Sequence, residues 1–181
     1  ISPIDPTAVH RICSGQVVND IATAVKELVE NSLDSGASTI DVRLKSSGLK
    51  MIEVEDDGSG ILEDNFHGLK FHDYDITALK HQTSKLSEFD ELRLVGTFGF
   101  RGEALSSLCA LCDVTISTKH ANQVSFECFY DHEGHMTSKT PIARRRGTTV
   151  ILRDVFSTLP VRHKELARNI RKVFMEILFI G

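Results

Sequence analysis

The apolar period of the chain changes abruptly near residue 37, and that change limits the folds open to it. From Val17 to Asp34, the residues Val18, Ile21, Val25, Leu28, Val29 and Leu33 recur at helical spacing. Ser35-Gly36 closes this run, with glycine where a helix C-terminus favours positive φ. From Ile40 the period is two: Ile40, Val42 and Leu44 alternate with Asp41, Arg43 and Lys45, the pattern of a half-buried strand. Ser46-Ser47-Gly48 turns the chain, and KMIEVEDD (50–57) runs back as a second strand. A helix followed by a hairpin at one edge of an antiparallel or mixed sheet is therefore expected.

The remaining segments extend this scheme. A short helix is expected around Glu63 to Lys70. FHDYDITALKHQTSK (71–85) has no clean period and reads as a loop. EALSSLCAL (103–111) starts a helix, and DVTIST, QVSFECFYD and GTTVILRD supply three more strands. RHKELARNIRKVFMEILFI (162–180) is again helical. The order implies an α+β fold: one mostly antiparallel sheet with helices on a face. The 181 residues suit one domain, or one with a fragment of a second.

Composition narrows the setting. No apolar run approaches the roughly 20 residues of a membrane-spanning helix. Cys109 and Cys112 form a CxxC, but no second CxxC or CxxH accompanies it, and both lie in an apolar helical run. They read as packed core thiols of a reduced, intracellular protein rather than as zinc or redox ligands. The net charge of −4 hides an asymmetry, because residues 139–172 carry ten Lys/Arg against two acids. Such a segment suits phosphate, from nucleic acid or nucleotide. A solvated face or a seam to another part of the protein fits it equally well.

Three features could carry chemistry. On the first helix Glu27, Asn31 and Asp34 fall within about 60° of one another, beside the apolar face rather than opposite it. A carboxylate there can activate water, and an asparagine carbonyl can ligate Mg²⁺; the spacing fits a solvated stripe as well. EDDGSGI places Asp56, Gly58 and Gly60 directly after a strand. Its glycines permit a tight turn and close approach of a flat ligand, and Asp56 can accept a hydrogen bond from an exocyclic amine. GTFGFRGEAL spaces Gly96, Gly99 and Gly102 three apart before a helix start, where backbone N–H groups and the helix dipole favour phosphate. It is neither a Walker A loop nor a dinucleotide fingerprint.

Taken together and in order, KELVENSLDSGA, DDGSGI, TSK, GFRGEALSSL, GTTV and LPVRHKE resemble the N-terminal ATPase region of MutL mismatch-repair proteins. That region belongs to the superfamily shared with gyrase, Hsp90 and histidine kinases. RICSGQVV and GFRGEALSSLCAL are most similar to the eukaryotic postmeiotic-segregation branch. The resemblance runs from about Ile4 to Lys172. It implies a two-layer α/β sandwich of the Bergerat type, with ATP and Mg²⁺ as ligands. Glu27 matches the general base, Asn31 the Mg²⁺ ligand, and Asp56, helped by Thr148, the adenine-reading carboxylate. Gly60 and Gly99 fall in the nucleotide-binding glycine motifs. Gly102, Glu103, Ala104 and Leu105 match the phosphate-cradling helix start, and Thr83, Ser84 and Lys85 the lid.

The resemblance also implies an organisation and a setting. An ATP-binding domain spans 1–160, with a lid about 69–100. The helix at 161–181 leads to a second lobe, whose γ-phosphate lysine is expected outside this chain. Arg144, Arg145, Arg146, Arg162 and Lys164 are the DNA-binding candidates. A MutL-type heterodimer partner, mismatch-recognition MutS-type proteins and a nuclear location are implied for the whole protein. One departure from the family falls between Leu69 and His81, where KFHDYDITA looks like an insertion in the lid. The competing reading is a nucleotide-insensitive module that binds DNA or a partner and has a decayed pocket.

Overall fold

The structure, a computed structural model, describes residues 6–69 and 101–169. Helices α1 (Pro6–Val17) and α2 (Ile21–Asp34) lead into β1 (Ile40–Lys45) and β2 (Met51–Asp56). A 3₁₀ helix covers Glu63–Leu69. After α3 (Arg101–Leu111) come β3 (Asp113–Lys119), β4 (Phe126–Tyr130), β5 (Met136–Pro141), β6 (Gly147–Arg153) and α4 (Pro160–Arg168). The six strands form one sheet in the order β1-β2-β6-β3-β4-β5, and every pairing among them is antiparallel. The α+β expectation holds, and α2 and α3 pack on the sheet while α1 packs on α3.

Register explains how this sheet both closes the core and prepares a site. On β2 the buried residues are Ile52, Val54 and Asp56. Their partners on β6 are Leu152, Val150 and Thr148, and those on β3 are Val114, Ile116 and Thr118. The first two rows are apolar and meet Ile21, Val25 and Leu28 of α2 and Leu108 and Leu111 of α3 in one core. The third row, Asp56–Thr148–Thr118, is polar yet buried. Burying a carboxylate and two hydroxyls is unfavourable unless each is hydrogen-bonded, so this end of the sheet differs in kind from the rest of the core. On the opposite face Arg43 pairs with Glu53 and Glu55.

Some local readings of the sequence need correction. The run Val17–Asp34 is not one helix: α1 ends at Val17 and α2 begins at Ile21. Asp20 forces the break, because its extended backbone and a 2.6 Å bond from Thr23 N–H to its carboxylate cap α2. Leu33, expected on the apolar face, is exposed at 59%, and Ser32 takes the buried place. Strand β5, MTSKTP, was not expected; it is an edge strand and mostly exposed. The short helix expected near Glu63 is present, as a 3₁₀ helix over Glu63–Leu69, while the last helix begins earlier than expected, at Pro160, a residue suited to a first helical turn. The second half of that expected helix, and the loop at 71–85, lie outside the described residues.

Candidate functional site

A cavity of about 550 Å³ opens where the polar end of the sheet meets the C-terminal half of α2. Leu28, Asn31 and Ser32 of α2, Asp56 and Thr148 of the sheet, and Gly60 to Leu62 of the following turn line it. Leu105 of α3 and Phe66 of the 3₁₀ helix add apolar wall. This size and mixture, mostly apolar with a few convergent polar groups, suits a small-molecule ligand.

Asp56 is the centre of the polar set. Its Oδ1 accepts from Gly58 N–H at 2.9 Å and from Thr148 N–H at 3.2 Å. Its Oδ2 lies 3.0 Å from Ser32 Oγ. The two oxygens therefore differ: Oδ1 is held by the protein backbone, while Oδ2 meets one hydroxyl and retains acceptor capacity toward the cavity. Ser32 Oγ is also 3.1 Å from the Leu28 carbonyl, so the helix that carries Asn31 is keyed to the carboxylate. Thr148 Oγ1 lies 3.1 Å from Thr118 Oγ1, which accepts from Ile61 N–H at 2.9 Å.

The turn that follows Asp56 is held on both sides. The Asp57 carboxylate accepts from Ser38 and Thr39 N–H at 2.7 and 2.9 Å, and these backbone donors, Thr39 first, hold its pKa below the usual value. Gly60 has φ +75°, and a Cβ there would stand 2.2 Å from the Lys119 carbonyl oxygen. Gly147, at φ +122°, would bring a Cβ within 2.0 Å of the Asp56 carbonyl oxygen. Both positions need glycine for conformation and for space.

The sequence-derived residues divide into groups. Asn31, Asp56, Gly60, Leu105 and Thr148 meet at the cavity. Glu27 is half-buried one turn before Asn31 on α2 and is not among the lining residues. Ala104 is buried, and Gly102 and Glu103 lie in the first turn of α3. Thr83, Ser84, Lys85 and Gly99 fall outside the described residues. Among the described residues Asn31 Nδ2 is buried without a hydrogen-bond partner, a rare and costly state for an amide.

The basic candidates turn out to differ in what they hold. Arg144 donates to the Ser117 carbonyl, and burial lowers its pKa. Arg146 Nε donates to the Gly58 carbonyl at 2.9 Å. Arg162 donates to the Gly15 carbonyl and lies over the Phe156 ring. Arg145, Arg146 and Lys164 are exposed. Ser32 was missed in the sequence, where a helical serine next to the Asn31 stripe carries no signal of its own. The CxxC thiols are core residues: Cys109 and Cys112 are buried, and burial pushes Cys109 up to about 12.

Known proteins resemble this chain in sequence and in fold. Residues 19–147 match the family described as histidine kinase-, DNA gyrase B- and HSP90-like ATPase. The mismatch repair endonuclease PMS2 of Homo sapiens is 58% identical over 98% of the chain, and the DNA mismatch repair protein pms1 of Schizosaccharomyces pombe is 49% identical over 98%. The chain spans only about a fifth of these relatives, 20% and 22%. Among solved structures, the N-terminal domain of a DNA repair protein superposes with a TM-score of 0.78 at 40% identity, covering 94% of this chain and 46% of that one. The Aquifex aeolicus MutL ATPase domain complexed with ADP gives 0.59 at 25% identity, over 87% of this chain and 52% of its own. The chain belongs to the histidine kinase-, DNA gyrase B- and HSP90-like ATPase family, as a homologue of its mismatch-repair members.

Proposed function

We propose that this chain is the ATP-binding and slowly hydrolysing, Mg²⁺-dependent switch module of a mismatch-repair protein. One observation carries the reading. A buried carboxylate, Asp56, has one oxygen fixed by backbone donors and the other turned to a cavity, an acceptor suited to the exocyclic amine of adenine.

The residues present fit the ligand and its metal. Asn31, with its unpartnered amide on the cavity wall, can give Oδ1 to Mg²⁺ and Nδ2 to a phosphate oxygen. Mg²⁺, when bound, offsets phosphate charge and holds the transferring group in place. Glu27 accepts a proton from the attacking water. The first turn of α3, Gly102 to Leu105, donates backbone N–H groups to phosphate, and Thr83, Ser84, Lys85 and Gly99, which lie outside the described residues, complete the nucleotide-binding set that the resemblance implies. Phosphoryl transfer to water needs position and charge stabilisation more than covalent chemistry.

For the whole protein we place this module, residues 1–160, ahead of a second lobe reached through 161–181. It acts in the nucleus with a MutL-type partner subunit and MutS-type proteins. DNA contact by the basic third falls mainly to the exposed Arg145 and Lys164, since Arg144, Arg146 and Arg162 also hold backbone carbonyls. A decayed, nucleotide-insensitive pocket is disfavoured by the convergence of Asn31, Asp56 and Thr148 on one cavity, with Asp56 held by backbone donors on one oxygen only.

Glu27→Ala separates binding from chemistry. ATP binding should stay within about twofold of wild type while turnover falls about 10²–10⁴-fold, because a base acts on water in the transition state. A variant that hydrolyses ATP at the wild-type rate removes Glu27 from the mechanism.

A further inference from the structure

The cavity wall from Ile61 to Phe66 is tethered to the far half of the sheet. Ile61 N–H donates to Thr118 Oγ1 at 2.9 Å, and the Phe66 carbonyl accepts from Tyr130 Oη at 3.2 Å. The third tether is Lys139 on the edge strand β5. Lys139 stands opposite Cys128, and so ends the helix-facing apolar row that runs through Val54, Val150, Ile116 and Cys128. Its ammonium pairs with Glu63 and lies 4.1 Å from the Phe126 ring centroid and 5.4 Å from that of Phe66. The two rings meet edge to face, 6.0 Å between centroids. Glu63 and Phe66 belong to the 3₁₀ helix, and Phe66 lines the cavity.

An inward charge at a sheet edge has a purely structural use, since it discourages edge-to-edge pairing. That use needs neither Glu63 nor Phe66. Here the cation engages both, and the Lys139 side chain is only 25% exposed, so its ion pair and ring contacts are less screened than surface ones. The wall needs such tethers, because a 3₁₀ helix of seven residues has weak internal hydrogen bonding. We propose that Lys139 is a positioning residue for nucleotide binding: it holds Glu63 and Phe66 so that the 3₁₀ wall keeps the shape of the cavity. The inference rests on the nucleotide reading of that cavity.

The test compares Lys139→Met, Lys139→Arg and Glu63→Gln with wild type. Two readouts are used: binding of a non-hydrolysable ATP analogue with Mg²⁺, and amide hydrogen exchange of residues 62–66 without nucleotide. Lys139→Met and Glu63→Gln should each weaken binding about tenfold and speed exchange in the wall. They should raise KM for ATP while leaving kcat within about twofold. Lys139→Arg keeps the charge and the ring contacts and should restore both readouts. Glu63→Gln leaves the edge strand intact, so it decides the matter if Lys139→Met folds poorly. Wild-type exchange and affinity in Glu63→Gln overturn the inference. Faster exchange in a protein whose wild type binds no nucleotide upholds the tether and removes the nucleotide reading instead.

Discussion

Asp56→Asn should separate ligand reading from turn formation, because the local geometry tolerates the amide. If its oxygen takes the place of Oδ1, it still accepts from Gly58 and Thr148 N–H. Its NH₂ then faces Ser32 Oγ, and that hydroxyl can turn its proton to the Leu28 carbonyl 3.1 Å away and accept instead. The fold should lose only about 1 kcal/mol, as charge-assisted bonds become neutral ones. The cavity side changes sign, since a donor now faces the donor amine of adenine. Losing a hydrogen bond to a charged acceptor in a buried site costs about 2–3 kcal/mol, or about 30- to 150-fold in Kd. A fluorescent ATP analogue gives the affinity, and a thermal melt run beside it gives the stability. Purine riboside triphosphate, which lacks the amine, should bind wild type more weakly than ATP does, and Asp56→Asn should abolish that preference. If Asp56→Asn binds ATP as wild type does, Asp56 only shapes the turn and the adenine assignment is wrong.

Two further substitutions test the scaffold around the site. Gly60→Ala combines a positive φ with a Cβ 2.2 Å from a backbone carbonyl oxygen, so it should destabilise by about 3 kcal/mol and lower Tm by about 6–12 °C; calorimetry within a degree or two of wild type would show that the turn can relax. The folded pKa of Asp57 is depressed, chiefly by Thr39 N–H and then Ser38 N–H, so its stabilisation is present above its unfolded value of about 3.9 and is lost as pH falls through the folded value. Asp57→Asn should therefore flatten the acid limb of a Tm-versus-pH curve, and an unchanged acid limb would contradict this.

The strands that were legible in the sequence are those whose register places one face on the helix layer. Ile52 and Val54 are buried in alternation because α2 covers that side. Strand β5 was not legible, because MTSKTP has no apolar alternation to show, whereas β1, at the other edge of the sheet, was legible from Ile40, Val42 and Leu44. The split between α1 and α2 was visible in principle, as Asp20 is a good N-cap three residues before Thr23, but the apolar spacing ran straight across it. Asn31, Asp56 and Thr148 came from motif resemblance, and the fold brings them to one cavity. Ser32 and Lys139 depend on partners 24 and 76 residues away, and no local pattern encodes such pairings. The charge count of the basic third likewise gave no direction. Arg144, Arg146 and Arg162 contribute to it equally, yet each is turned to a backbone carbonyl of its own chain.

The central claim is that the cavity between α2 and the polar end of the sheet is an Mg²⁺-dependent adenine-nucleotide site. Isothermal titration of the protein with a non-hydrolysable ATP analogue, with and without Mg²⁺ and beside the matching GTP analogue, tests it most directly. Saturable one-to-one binding is expected, tighter with Mg²⁺ because Asn31 can then engage metal and phosphate together, and weaker for guanine because its carbonyl would face Asp56 Oδ2. No binding, or binding that ignores both Mg²⁺ and the base, would contradict the account.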